Sequence, residues 1–122
     1  MTTLRVLTVD DSRTILAMLH HTLSNAGFEV LQAEDGKQGL DVLKTETVDV
    51  VITDINMPRL DGFGVIEGVR ADPNHRATPV LVLTTESDAV KKQRARDAGA
   101  TGWIVKPFDP AKLVDAVRRV VA

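Results

Sequence analysis

The chain has 122 residues, 17 acidic side chains against 15 basic ones, a formal charge of −2 and no cysteine. That length encloses a hydrophobic core as one domain, residues 1–122, without disulfide or metal staples, and the missing thiols exclude thiolate metal sites and cysteine nucleophiles. The near balance of charge offers no general attraction to nucleic acid; with no signal-peptide pattern in MTTLRVLTVDD and no run of ~18 apolar residues, a soluble cytoplasmic protein without membrane insertion is expected.

In chain order, Leu4 to Val9 is the first strand-sized apolar run. Ile15, Leu16, Leu19 and Leu23 follow at helical spacing, with Ser12 placed to cap the start and Asn25-Ala26-Gly27 to supply glycine at the end. Phe28 to Ala33 is the second run, and Asp35 is placed to cap the helix after it. The third, Val48 to Thr53, contains the uninterrupted β-branched stretch Val50, Val51, Ile52, the pattern of a strand covered on both faces. Val80 to Leu83 is the fourth, leading to a basic helical segment that ends at Asp97-Ala98-Gly99-Ala100. Trp103 to Val105 is the fifth, and Leu113, Val114, Val117 and Val121 give the last helix its apolar stripe. Strand then helix, five times over, predicts an α/β fold, a doubly wound parallel sheet with helices on both faces and right-handed crossovers. Spacing alone leaves strand order open, although five strands fit the flavodoxin-like (βα)5 order 2-1-3-4-5 better than the six-stranded alternative.

Parallel strands collect their carboxyl ends at one edge, where open α/β sheets bind ligands. To that edge the first strand brings Asp10 and Asp11, the third Asp54, the fourth Thr84 and the fifth Lys106. Each has an ordinary explanation alone, as a helix cap, a loop cap or a solvated lysine, but five polar groups at one edge point to a site. Three crowded carboxylates repel one another and call for a cation. An all-oxygen set without cysteine, and with no histidine in these motifs, favours magnesium. A cation, a lysine and a hydroxyl can together hold a phosphoryl group, which makes Asp54 the candidate nucleophile.

The acidic pair in VDDS, the aspartate in ITDINMPRLDG, the threonine in LTTES and the lysine in GWIVKPF resemble, at these separations, the receiver domain of bacterial two-component response regulators. The resemblance covers the whole chain and is nearest to stand-alone receivers of the chemotaxis CheY type. The strand order above is this family's own, so the two expectations are not independent. The resemblance implies that Asp54 accepts a phosphoryl group from a phosphohistidine of a histidine kinase. It implies further that Asp11 and Asp54 ligate Mg2+ directly, Asn56 by its backbone carbonyl and Asp10 through water, and that Lys106 pairs with the phosphoryl oxygens. Thr84 and the aromatic position, here Trp103, would form the switch; tyrosine or phenylalanine is usual there, so the indole is a departure. Pro107 is expected to follow Lys106 through a cis bond.

Lys91, Lys92, Arg94 and Arg96 crowd into six residues of the fourth helix. Solvated surface is their ordinary reading. The resemblance implies instead an output face of fourth helix, fifth strand and fifth helix, including Trp103, suited to an acidic partner such as a segment of the flagellar motor switch protein. The expected protein is a monomeric phosphorylation-activated switch in chemotaxis, or alternatively a phosphate sink that drains the kinase. It is no enzyme beyond its own phosphorylation and dephosphorylation. A magnesium-dependent phosphatase of the haloacid dehalogenase kind would carry a second acid two residues after the nucleophile, where this chain has Asn56. A flavodoxin would place Ser, Thr and Gly where VDDSRTIL is acidic.

Overall fold

A computed structural model describes residues 3–122. Five strands, β1 (Arg5–Val9), β2 (Glu29–Ala33), β3 (Val50–Thr53), β4 (Val80–Thr84) and β5 (Gly102–Val105), alternate with five helices. These are α1 (Arg13–Asn25), α2 (Gly36–Thr45), α3 (Gly62–Ala71), α4 (Ala89–Ala98) and α5 (Pro110–Val121). All strand pairs are parallel, as the sequence pattern predicts, and the order is β2-β1-β3-β4-β5, the one that the resemblance implies.

Strand periodicity sends neighbouring residues to opposite faces, and the chain fills both. Leu7, Val9, Val51, Val80 and Val82 pack with Leu43, Phe63, Ile66, Val69 and Ala95 beneath α2, α3 and α4. Val6, Val50, Ile52, Leu81 and Leu83 pack with Leu19, Leu23, Phe108, Leu113 and Val117 beneath α1 and α5. Burying both faces explains why β3 and β4 are buried throughout and apolar up to the threonine that ends each. Among the described residues no helix is long and apolar enough to cross a membrane.

The chain leaves β1 toward β2 on one side and returns to β3 on the other, so the direction of winding reverses between β1 and β3. A crevice opens at such a reversal, outside the carboxyl ends of the strands. Val9 pairs with Thr53 in register there, so Asp10 and Asp54, each the next residue, emerge side by side.

Some boundaries differ from expectation. β3 starts at Val50 rather than Val48, because the Val48 N–H donates to the His75 ring at 3.3 Å and the Asp49 carboxylate accepts the Arg5 N–H at 2.7 Å. β4 includes Thr84.

Candidate functional site

Asp54 and Asp10 are both buried, 8% and 2% exposed. Sheet hydrogen bonds carry the chain up to each: Asp54 N–H donates to the Val9 carbonyl at 3.0 Å, and Asp10 N–H to the Ala33 carbonyl at 3.1 Å. Their outer oxygens accept from nearby backbone, Asp54 Oδ1 from Ile55 N–H at 2.7 Å and Asp10 Oδ1 from Ser12 N–H at 2.9 Å. The other oxygens converge on one cation. Lys106 Nζ lies 2.8 Å from Asp10 Oδ2 and 2.9 Å from Asp54 Oδ2. Its strand end is fixed by Lys106 N–H donating to the Thr84 carbonyl at 2.8 Å, and the Lys106–Pro107 bond is cis.

Electrostatics at this edge are strained in the sense a binding site requires. Burial pushes the Asp10 carboxyl up, and the Asp54 charge adds to that, while Lys106 and the Ser12 N–H oppose it. For Lys106 burial acts downward, but the two carboxylates outweigh it and the pKa is raised. Asp11 is exposed at the rim, yet one oxygen from each of Asp10, Asp11 and Asp54 can be chosen so that all lie within 4.8 Å of one another. Three carboxylates answered by a single lysine, with oxygen as the sole donor type, fit a hard divalent cation such as magnesium.

Local sequence explains how the loop after β3 passes so close. A Cβ on Gly62 would collide with the Asp54 carbonyl and lie 2.8 Å from Ile55 Cα, so only glycine permits this approach. Gly62 N–H then donates to the Ile55 carbonyl at 2.9 Å. Asp61 caps α3 by accepting the Gly64 N–H at 2.9 Å, so Asp61-Gly62 opens a helix as well as turning the chain.

Thr84 is fully buried, and its hydroxyl oxygen accepts the Glu86 N–H at 3.2 Å. Glu86 is the residue the sequence did not single out. Its carboxylate oxygen Oε1 accepts from Asn56 Nδ2 at 3.2 Å and Lys91 Nζ at 3.1 Å, and its carbonyl accepts the Trp103 indole N–H at 3.1 Å. Its carboxyl is held below the usual range, chiefly by the Lys91 hydrogen bond and then by Asn56. It sits in an aperiodic loop, where only its place two residues after Thr84 could have drawn notice. Trp103 is half-buried, packed against the core beneath α4.

The four bases of α4 do not share a face. Lys91 turns to Glu86, and Arg94 stacks over the Phe63 ring at 3.9 Å on the α3 side. Lys92 and Arg96 line a groove with Trp103 between α4 and β5.

Residues 6–118 match the family described as the response regulator receiver domain. The crystallised chemotaxis protein CheY4 of Vibrio cholerae superposes with a TM-score of 0.94 at 44% identity, over 98% of this chain and 99% of that one. A chemotaxis protein CheY homolog of Campylobacter jejuni is 38% identical over 120 residues, 97% of this chain and 92% of its own length. The receiver domain of the Pseudomonas aeruginosa sensor histidine kinase PA1611, solved with a magnesium ion coordinated in its active-site cleft, superposes at 0.90 with 25% identity, each chain 98% covered. Other relatives are longer, and the chain spans 45% and 48% of two described as "Probable transcriptional regulator ycf27". Strand order, acidic crevice and lysine, together with a family match over nearly the whole sequence, make this chain a member of the response regulator receiver domain family, the signalling switches of two-component systems.

Proposed function

We propose that the chain, as a single receiver domain over residues 1–122, takes a phosphoryl group from a phosphohistidine of a histidine kinase onto Asp54 and reports that state to a partner in chemotaxis. The observation that carries this reading is Lys106 Nζ bridging Asp10 and Asp54 at 2.8 and 2.9 Å, at the one edge where a third carboxylate, Asp11, also stands.

In the transfer, an Asp54 carboxylate oxygen forms the new O–P bond as the donor's P–N bond breaks, and the imidazole leaves with the electron pair. Ile55 N–H holds Oδ1 at 2.7 Å and so fixes the carboxylate's orientation before attack. Lys106, already 2.9 Å from Oδ2, is placed to follow the incoming negative charge, and Thr84 supplies a hydroxyl from the neighbouring strand. Magnesium, held by Asp11, Asp54 and the Asn56 carbonyl with Asp10 reaching it through water, would offset the charge of the donor phosphate. Asn56 cannot exchange a proton as a second acid would, which argues against turnover on external phosphate esters.

Readout would pass through Thr84 and Trp103 to the groove lined by Lys92 and Arg96, a basic surface fitting an acidic segment of a flagellar motor switch protein. The chain would act as a cytoplasmic monomer. Incubation with radiolabelled acetyl phosphate and magnesium should label the wild type and leave Asp54→Asn unlabelled, since an amide offers no nucleophilic carboxylate. Stoichiometric labelling of Asp54→Asn would place the acceptor elsewhere.

A further inference from the structure

Arg59 is the one non-glycine residue among the described residues in the left-handed region, with φ 67°. A Cβ in that region crowds the neighbouring carbonyl, and glycine would relieve the crowding. The chain keeps an arginine there, and its side chain is engaged. Nε donates to Asp35 Oδ2 at 2.8 Å and Nη2 donates to the same oxygen.

Asp35 is itself a fixed point. Only 6% exposed, it caps α2 by accepting the Gln38 N–H on Oδ1 at 2.8 Å. Beside the pair, Leu60 sits so near Gly36 that a Cβ there would lie 2.9 Å from the Leu60 carbonyl carbon. The loop carrying Asn56 is thus closed at its base by Gly62 N–H on the Ile55 carbonyl and tied along its length by Arg59 to the Asp35 cap of α2.

We propose that Arg59, through its ion pair with Asp35, is a positioning residue that fixes the loop between β3 and α3 and with it the Asn56 carbonyl beside Asp54, setting the affinity for magnesium rather than the chemistry of transfer. The inference rests on the assignment of Asp54 and Asn56 to the acceptor site. Arg59 is 62% exposed, so water screens the pair and the effect is modest, about threefold.

Arg59→Gly removes the guanidinium while relieving the backbone; Asp35→Asn keeps a side-chain cap for α2 while removing the charge. In magnesium-free protein, amide exchange at Gly62 should quicken about threefold in Arg59→Gly relative to the core amide of Val51. Calorimetric titration should show both variants binding magnesium about threefold more weakly, with no further loss in the double variant. Transfer from acetyl phosphate should slow at limiting magnesium and recover at saturation. If the arginine merely occupies a turn, glycine serves as well, and wild-type exchange at Gly62 or wild-type magnesium affinity in both variants overturns the proposal. A wild-type chain that binds no magnesium overturns the acceptor-site assignment instead, and the exchange result, which needs no metal, tells the two failures apart.

Discussion

The Asp10 side chain is almost wholly buried, and that burial raises its pKa above the ordinary 3.8 despite the lysine 2.8 Å away. A group raised in the folded state contributes stability that is fully present below its unfolded pKa and is lost as pH rises through its folded pKa. Replacing Asp10 by Asn removes that loss while keeping the shape. In chelator, the melting temperature of Asp10→Asn relative to wild type should therefore climb as pH rises above the ordinary carboxylate range of about 4. A difference that stays flat, or favours wild type at neutral pH, would mean that Lys106 compensates the burial in full. The same variant should bind magnesium more weakly, the trade between stability and site chemistry expected where like charges are gathered for function. Residues of this kind were readable from the sequence because each follows directly on an apolar strand run: Asp10 after Val9, Asp54 after Thr53, Lys106 after Val105. Glu86 and Arg59 were not, because loops carry no period, and their partners lie as far as 30 and 24 residues away along the chain.

All five helices begin on a side-chain cap, Ser12, Asp35, Asp61, Asp88 and Asp109. Two of these, Ser12 and Asp35, were read from the sequence; Asp61, Asp88 and Asp109 were not, although Pro110 in the first turn of α5 marks the residue before it as a cap. α4 is the helix that apolar burial holds least, since Ala95 is its single buried residue. Polar ties replace the missing core. Arg70 reaches across from α3 and donates to the Gly99 carbonyl at 3.1 and 2.7 Å, and to the Arg76 and Thr78 carbonyls at 3.1 and 2.6 Å. Burial pushes its pKa down, and carbonyl oxygens rather than a carboxylate receive its hydrogen bonds. Arg70→Met should keep much of the packing and lose these bonds, destabilising the fold by about 1–3 kcal/mol. Hydrogen exchange should quicken across Lys92 to Ala98 while the amides of β3 keep their protection. Equal quickening in both would show that α4 is not a separable unit. His75 made the start of β3 equally hard to read, because its ring takes the Val48 N–H that the pattern assigned to the sheet.

At the scale of the molecule, the acidic crevice and the groove between α4 and β5 share one piece of chain, the loop after β4. Glu86 N–H donates to Thr84, the Glu86 carboxylate receives Asn56 and Lys91, and the Glu86 carbonyl receives the Trp103 indole. On the proposed reading, a phosphoryl group on Asp54 draws the Thr84 hydroxyl toward it, so the Glu86 N–H loses its acceptor and the loop must rearrange. The indole then loses or changes the partner of its N–H, which a half-buried tryptophan needs. Trp103 is the sole tryptophan, so fluorescence reports this event without ambiguity. Magnesium and beryllium fluoride added together should shift its emission, and Thr84→Ala should bind the mimic yet show little shift. Coupling between sites is reciprocal, so an acidic peptide that binds the activated groove more tightly must tighten beryllium fluoride by the same factor. Such couplings run from about 5-fold to about 150-fold, and the lower end is expected because the link is a few hydrogen bonds in a solvent-facing loop rather than a repacked core. A mimic that binds while Trp103 emission and peptide affinity both stay unchanged would break the link between loop and groove, and the output would then have to leave by another face.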